Sequence, residues 1–330
     1  MKRVAMVVLA VLAVGCGKGG ESNSDAGAVD AGPALIPGFD PPPAPAGYTR
    51  YVTPVIDNLA PQDGTLWCQW LTDAAPADIN VADVSGYQSK YGHHIALYAT
   101  TTTKDVGTSR PCTTADMLSI RFLGAIGGEG TAGVTLPDHV VLQLKKGEAV
   151  MANTHFLNLS DAPIQGQGVI DVKYTTPNAQ DTVAGFFNNT ATTFNVPVGQ
   201  VGTFDRTCTL NEDMNFFLFT DHMHFWGTTA QTTVDDGDGG NSMTLADDAT
   251  WQSEEQFNPS WNKWPLTTPA LLHAGQVMHT RCTWDNTTSS ALEFPTEMCV
   301  GVGFFLLPGG AQAQDVYCVD GEWSVGAPPQ

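Results

Sequence analysis

Short stretches in which hydrophobic and polar residues alternate recur along the chain from about residue 48 onward. Clear examples are residues 139–144, 169–174 and 216–220, which are rich in Val, Leu, Phe and Thr. An alternation with a period of two places successive side chains on opposite faces of an extended chain, so these stretches predict short β-strands. Segments rich in Gly, Pro and Asn separate them and are typical of turns. The pattern predicts an all-β protein with two tandem antiparallel, jelly-roll-like β-sandwich domains.

The turn-forming and small residues also divide the chain into regions. Residues 17–47 are mostly Gly, Ser, Asp, Ala and Pro, a composition that buries little surface and predicts a flexible tether. A stretch rich in Thr and Asn offers a seam near residue 190. We therefore expect an N-terminal sandwich over residues 48–190 and a C-terminal sandwich over residues 191–330.

The first sixteen residues have the pattern of an export signal. Two basic residues precede an apolar run over residues 4–14, and a Gly-Cys pair follows. This run is about half as long as the roughly 20 residues that a bilayer-spanning helix needs, so it predicts a secretory signal. Cys16 closes the sequence Leu-Ala-Val-Gly-Cys, which resembles a bacterial lipobox. We expect a lipoprotein signal peptide over residues 1–16 and lipidation at Cys16. The exported protein would then be attached to a bacterial membrane, in the periplasm or at the cell surface, only by its lipid.

Charge restricts the kinds of partner. The chain has 330 residues, with 14 Lys and Arg against 34 Asp and Glu, and its formal net charge is −20. Such a charge repels nucleic acids and anionic membrane surfaces at long range. It also gives a weak, salt-screened preference for neutral or cationic small molecules. We therefore expect a small-molecule substrate and no nucleic-acid partner.

The cysteines predict disulfides. With Cys16 assigned to lipid, six cysteines remain: Cys68, Cys112, Cys208, Cys282, Cys299 and Cys318. An even number in an oxidising compartment favours three disulfides, and six cysteines allow fifteen pairings. If each domain is closed on itself, Cys68 pairs with Cys112, and the other four cysteines keep three possible arrangements. No thiolate would then remain as a metal ligand or nucleophile.

Histidine is the next candidate for chemistry. The side chains of His222 and His224 lie on one face if this segment is a strand, so both can reach one metal ion. The adjacent residues His93 and His94 would point to opposite faces of a regular strand. They can share a metal only if a bulge or twist occurs there, which Gly92 favours. The alternative interpretation is that these histidines simply face solvent.

A methionine adds a softer ligand. Met298 lies between Glu297 and Cys299, and a disulfide at Cys299 would hold the neighbouring thioether in place. A thioether together with imidazoles suits copper better than zinc or magnesium. The alternative interpretation is an ordinary core methionine.

Several of these segments together resemble the copper type II, ascorbate-dependent monooxygenases, the family of peptidylglycine α-hydroxylating monooxygenase and dopamine β-monooxygenase. The similar segments extend from about residue 48 to residue 325. They include Cys68, the histidine pair within residues 91–98, His155 within residues 153–156, the His222–His224 motif, and residues 275–287 followed by Glu297-Met298-Cys299.

The resemblance implies two copper ions per chain, one in each β-sandwich, facing one another across a solvent-filled cleft. The electron-transfer copper would be held by His93, His94 and His155. The oxygen-activating, catalytic copper would be held by His222, His224 and Met298. The resemblance also implies the disulfides Cys68–Cys112, Cys208–Cys318 and Cys282–Cys299.

The implied activity is a copper-dependent monooxygenase that hydroxylates a C–H bond of a small organic substrate. It would use O2 and a one-electron donor such as ascorbate. In the peptide-hydroxylating members, an Arg, an Asn and a Tyr bind the peptide carboxylate, and this chain has Thr220, Val300 and Val302 there. We therefore expect a more apolar pocket, with glycine-extended peptides as poor substrates. The alternatives are a non-catalytic periplasmic copper-binding or copper-buffering lipoprotein, and a carbohydrate-binding sandwich with coincidental histidines.

Overall fold

The alternating segments form β-strands, as their pattern predicts. The computed structural model describes residues 33–61, 64–117, 119–129, 134–158, 160–294, 296–309, 311–326 and 328. The predicted signal peptide and the lipidation site at Cys16 lie outside these residues. No helix in the described ranges is long and apolar enough to cross a membrane.

The strands are distributed over the whole described chain, with one helical turn in each half. The N-terminal half contains β1 (Thr49–Val52), β2 (Ile56–Leu59), β3 (Leu66–Trp70), β4 (Ile79–Gln88), β5 (Gly92–Thr100), β6 (Ser109–Pro111), α1 (Thr114–Met117), β7 (Ile120–Gly127), β8 (Val140–Leu144), β9 (Ala149–Phe156), β10 (Ile164–Gly166), β11 (Gly168–Thr175) and β12 (Thr182–Ala191). The C-terminal half contains β13 (Asn195–Val196), β14 (Val201–Thr209), β15 (Met214–His222), β16 (Gly227–Asp235), β17 (Met243–Asp248), a 3-10 helix (Ser253–Gln256), β18 (Asn262–Lys263), β19 (Ala270–Leu272), β20 (Val277–Asp285), β21 (Leu292–Glu293), β22 (Cys299–Leu306), β23 (Val316–Val319) and β24 (Glu322–Val325).

Two β-sandwiches share one continuous sheet. An eleven-stranded sheet has the order β1-β11-β4-β8-β12-β22-β15-β18, with β19 beside β15 and with β23 and β24 extending from β12. The five-stranded sheet β6-β3-β9-β5-β7 packs on its first part, and the four-stranded sheet β14-β20-β16-β17 packs on its second part. Nearly all neighbouring strands are antiparallel, and the predicted all-β sandwich class is confirmed.

The strand β12 connects the two sandwiches. It pairs with β22 from Ala184 to Ala191, whereas only Thr182 and Val183 pair with β8 of the N-terminal half. All described residues from 33 onward form one compact unit. Most of β12 is therefore hydrogen bonded to the C-terminal sandwich, although this strand lies before the expected seam near residue 190.

The described end of the expected tether is held against the first sandwich. The side chain of Gln167 accepts a hydrogen bond from the Ile36 amide (2.9 Å) and donates one to the Ala34 carbonyl (3.1 Å). The Tyr48 hydroxyl donates to Asp83 at 2.6 Å. The contacts of Gln167 with the backbone at Ala34 and Ile36 therefore fix the last part of this segment, and residues 17–32 of the expected tether lie outside the described residues.

Three Phe-Phe pairs cover both faces of the middle of the shared sheet. Neighbouring residues on a strand point to opposite faces, so each pair places one ring in each of two core clusters. Phe186, Phe217 and Phe304 join the largest cluster, which also contains Phe122 of the first sandwich, and Phe187, Phe216 and Phe305 join the cluster inside the second sandwich. The central strands are therefore buried on both sides.

The three disulfides link strands that are distant in sequence. They join Cys68 to Cys112, Cys208 to Cys318, and Cys282 to Cys299. The pairings implied by the resemblance are confirmed. The last disulfide attaches the beginning of β22 to β20, directly after Met298.

A buried carboxyl group joins the two halves. Asp315, which is 1% exposed, accepts hydrogen bonds from the backbone amides of Phe122 on β7 (2.5 Å) and Phe186 on β12 (3.2 Å). The Tyr317 hydroxyl donates a third at 3.2 Å. Burial raises the pKa of Asp315 to about 6, although Arg121 and the hydrogen bonds oppose this increase. One side chain therefore satisfies backbone donors from two different strands.

We expect Asp315→Asn to destabilise the protein by about 1–3 kcal/mol, because the amide NH2 would have to face a backbone N–H donor. Urea unfolding at pH 7 measures the free energy of unfolding. Asp105→Asn, at an exposed position, is the control and should change it by less than about 0.5 kcal/mol. Equal stability of the two variants would contradict the joining role of Asp315.

The same carboxyl group predicts a pH dependence. Its pKa of about 6 in the folded protein lies above the ordinary value of 3.8, so the folded state binds more protons between these pH values. The contribution of Asp315 to stability therefore rises as the pH falls from 7 toward 4. Burial raises the pKa of the nearby Tyr98 and Tyr317 above 10.0, so both keep their protons, and Arg121 is the adjacent cation. The stability difference between wild type and Asp315→Asn should widen with acidification; a constant difference would refute this linkage.

Candidate metal centre

A β-bulge brings the first three histidines together on β5 and β9. The pairing of these strands shifts register between Gly92 and His94, so that His94 lies opposite His155 and His93 is the extra residue. A bulge of this kind re-aims a side chain that would otherwise point away. The irregularity expected at the histidine pair is confirmed. Gly92 is required there, because an added Cβ would lie 2.2 Å from the Cβ of Gln88.

These three imidazoles are spaced as ligands of one ion. One ring nitrogen from each lies within 4.8 Å of those of the other two. The ring centroids are 5.1 Å apart for His93 and His94, 4.8 Å for His93 and His155, and 5.1 Å for His94 and His155. Two imidazoles bound to the same metal have ring centroids about 5 Å apart, given metal–nitrogen bonds of about 2 Å. The trio can therefore share one ion after small side-chain rotations.

The second set of predicted ligands comes from the end of β15 and the beginning of β22. His222 pairs with Val300 in the strand ladder, so the segment that contains Met298 lies beside the segment from His222 to His224. The ring centroids of His222 and His224 are 5.3 Å apart. Met223, between these two histidines, is fully buried in a core cluster.

Hydrogen bonds orient the ring of His224. Its Nδ1 lies 3.1 Å from the carbonyl oxygen of Thr296, so Nδ1 must carry the proton and Nε2 keeps its lone pair. The indole N–H of Trp251 donates to the His224 carbonyl at 3.0 Å. Nε2 is buried and has no hydrogen-bond partner among the described residues. Metal-binding histidines are typically oriented in this way, through the nitrogen that does not bind the metal.

A buried glutamate that the sequence analysis did not identify as functional connects His224 and Met298. One oxygen of Glu297 accepts a hydrogen bond from the Trp226 amide (2.7 Å). The other accepts from the His224 amide (3.0 Å), the Trp284 indole (3.0 Å) and the Met298 amide (3.3 Å). Burial raises the pKa of Glu297 to about 7, and the hydrogen bonds oppose this increase. In the sequence, the only signal is a single acidic residue directly before Met298.

The two histidine groups are in direct contact. The ring centroids of His93 and His224 are 4.8 Å apart, so the expectation of a solvent-filled gap is wrong for these two rings. The Phe257 ring lies 5.3 Å from His93. An added Cβ on Gly127 would lie 2.3 Å from the Phe257 carbonyl oxygen, so the missing side chain at Gly127 permits this close approach.

Burial keeps these imidazoles neutral. Burial, reinforced by the neighbouring histidines, lowers the pKa of His93 and His94 far below 6.5. Burial lowers the pKa of His222 to about 3 and that of His224 to about 4. The neutral imidazole is the form that binds metal ions.

The His93 ring is left without a partner at the point where the two histidine groups meet. Both of its ring nitrogens are buried without a hydrogen-bond partner in the described structure, which is unfavourable unless another group binds there. His93, His94 and His155 form a trio on one side of the His93–His224 contact. His222 and His224 lie on the other side, beside the segment that contains Met298, and a set of imidazoles with a thioether would favour copper.

The positions expected to bind substrate lie largely in the interior. Thr220 is fully buried and its hydroxyl donates to the Ser260 carbonyl at 2.9 Å. Val300 is 4% exposed, and Val302 packs against the largest core cluster. Val300 therefore presents almost no surface to a ligand, and the more apolar pocket stays a prediction. Phe225, directly after His224, is 48% exposed instead and offers an apolar surface at that segment.

Comparisons with known proteins identify no relative. No protein-family model matches the chain, and no curated protein matches its sequence. Among solved structures, a chain of the Sulfolobus turreted icosahedral virus is 9% identical over 78% of this chain and 61% of that chain, with a TM-score of 0.23. A chain of the infectious bursal disease virus Gx strain is 8% identical over 81% and 72%, with a TM-score of 0.20. The VP2 subviral particle of infectious bursal disease virus is 12% identical over 84% of this chain and 76% of that chain, with a TM-score of 0.20. The chain spans less than two thirds of the first of these, and likeness at this level carries no argument about function.

We expect Gly92→Ala to weaken copper binding at the first trio by at least about tenfold. The new methyl group must displace Gln88, whose side-chain amide donates to the His155 carbonyl at 3.0 Å. Copper titration measures the affinity. Gly309→Ala is the control, because a Cβ there would meet no atom within 4 Å in the described part of the molecule. Wild-type affinity in Gly92→Ala would show that the bulge does not arrange the trio.

Proposed function

We propose that this protein is a copper-dependent monooxygenase that hydroxylates a C–H bond of a small organic substrate. It would use O2 and a one-electron donor such as ascorbate. The observation that carries the proposal is the contiguous group of five neutral or buried imidazoles, with open ring nitrogens at His93 and His224. Copper bound to this group would supply one-electron redox chemistry and activation of O2.

The two sets of ligands suit different tasks. His93, His94 and His155 lie on paired strands, so the sheet fixes their relative positions and favours a site that changes little during electron transfer. His222 and His224 offer two nitrogens, and Met298 would add a weakly bound sulfur. A set with a weak ligand leaves coordination positions for O2, and we assign catalysis to it.

The surroundings of His222 and His224 favour an apolar substrate. Phe225 is half exposed at this segment, and the Trp251 ring centroid lies 6.4 Å from that of His222. Together with the net charge of −20, these aromatic side chains support a neutral or cationic small molecule. Its exported, lipid-anchored location, with a signal peptide over residues 1–16 and lipid at Cys16, is part of the proposal. The three disulfides support an oxidising compartment.

Burial of the imidazoles favours a second candidate function, a copper-binding or copper-buffering lipoprotein without turnover. His93, His155 and His224 are only 2%, 6% and 3% exposed. Ions held there would exchange slowly with solvent, which suits storage as well as catalysis.

Copper titration of the metal-free, disulfide-intact protein should give two ions per chain. Met298→Ala or His224→Ala should remove one ion, and His94→Ala should remove the other, because each variant lacks a ligand of a different set. His139→Ala is the control, since the His139 side chain is 63% exposed and lies beside Asp181. A stoichiometry of one or zero in the wild type would overturn the assignment.

Oxygen uptake separates the two candidate functions. With copper, ascorbate and a neutral or cationic apolar substrate, O2 consumption should be coupled to a hydroxylated product and should be abolished in His224→Ala. A glycine-extended peptide should have kcat/KM at least about tenfold lower, because its carboxylate lacks a charge-assisted partner worth about 1.5–3 kcal/mol. Two tightly bound copper ions without coupled uptake for any substrate would establish the buffering function instead.

A further inference from the structure

The second ligand set is assembled from two segments that are distant in sequence. His222 is the last residue of β15 and His224 follows the strand, whereas Met298 precedes β22. The ladder between these strands ends at the pair His222 and Val300. Beyond that pair the strand register no longer fixes the distance from His224 to Met298. Another interaction must hold the two segments together at the point where the ligands lie.

Glu297 provides this interaction between the backbones, beside the contact of the His224 ring with the Thr296 carbonyl. The amides of His224 and Met298 donate to the same carboxylate oxygen, at 3.0 Å and 3.3 Å. Because both distances end on one atom, they limit the separation of the two backbones. The Trp226 amide, which follows His224 by two residues, donates to the second oxygen at 2.7 Å. The carboxylate therefore binds both sides of the segment that contains His224.

The same carboxylate is attached to a rigid element. The indole N–H of Trp284 on β20 donates to it at 3.0 Å, and Trp284 is fully buried. The disulfide between Cys282 on β20 and Cys299 attaches the chain two residues after Glu297. Glu297 and Met298 are thus held between a buried ring and a covalent link that both belong to one strand.

The hydrogen bonds of Glu297 are made with donors of the protein itself. One oxygen accepts three N–H groups and the other accepts one. The residue is also fully buried. These contacts show Glu297 holding protein segments together, so we assign it no place among the metal ligands.

We propose that Glu297 is a positioning residue that sets the spacing between His224 and Met298 and so creates the second copper site. This inference depends on the proposed function, because it assumes that His224 and Met298 bind the same ion. It adds a residue that binds neither metal nor substrate but decides whether the sulfur and the nitrogen can reach one ion together.

The test is Glu297→Gln in the full, disulfide-intact protein, loaded with Cu(I). Glutamine has nearly the same shape but presents an NH2 group to at least one N–H donor, so the hydrogen-bonded arrangement must open. We expect copper binding at the second site to weaken by about tenfold or more. The sulfur contribution to the Cu(I) X-ray absorption spectrum should disappear, while one copper ion with only nitrogen ligands remains.

Asp315→Asn is the matched control. Asp315 is likewise a buried carboxyl group that accepts backbone N–H groups, but it lies outside both ligand sets. It should lower the stability of the protein and still leave two copper ions and the sulfur signal. Loss of sulfur in both variants would mean that general destabilisation, and not positioning, removes the site, and would overturn the inference.

The remaining outcomes separate this inference from the proposed function. A wild-type protein without two copper ions, or without a sulfur signal, would defeat the copper assignment itself. A normal wild type together with an unchanged Glu297→Gln variant would defeat only the role of Glu297. If Glu297→Gln does not fold, Glu297→Asp is tested in its place, because it keeps the charge but has a shorter side chain. The same result is expected: the sulfur contribution to the X-ray absorption spectrum and one copper ion should be lost.

Discussion

Removal of imidazole and carboxyl groups from water is the physical constraint on which the centre of this molecule depends. A buried ionisable group is costly unless it is neutral or fully hydrogen bonded. Asp315 meets this requirement with backbone N–H donors from two strands, and Glu297 meets it with N–H donors that include the His224 and Trp226 amides between β15 and β16. His93 does not, because its ring nitrogens lack any partner in the part of the chain that the structure describes. The carboxyl groups thus organise the backbone, and the imidazoles are left to bind something else.

Features that depend on neighbouring residues could be predicted from the sequence. The alternation of apolar and polar residues gave the strands and the all-β class, because side-chain direction on a strand depends only on position. The bulge at the histidine pair followed from the same geometry, with Gly92 as its local signal. The three disulfides required more than local reasoning: the cysteine count left several pairings open, and the resemblance to a family selected the pairings that the structure has.

Features that depend on the packing of distant segments could not be predicted. His93 contacts both His224 and Phe257, and Phe257 lies against Gly127. Nothing in the local sequence of these segments indicates these contacts. Glu297 resembles any other acidic residue until its four donors are brought together. The resemblance places Thr220 where related enzymes have an Arg that binds a carboxylate, and only the structure shows that the Thr220 hydroxyl is buried and bonded to the Ser260 carbonyl. The Phe-Phe pairs are a signal that sequence analysis could use, because adjacent large apolar residues on one strand indicate burial on both faces.

The position of β12 in the shared sheet has a consequence for how the polypeptide folds. Its partners β22 and β23 lie far from it along the chain, and the disulfide from Cys208 to Cys318 closes a sequence separation of 110 residues. Contacts between such distant segments carry a large loop-closure entropy and form slowly. The sheet that the two sandwiches share would therefore be completed late in folding. The contact between His93 and His224, which joins the two halves, would form only at that stage.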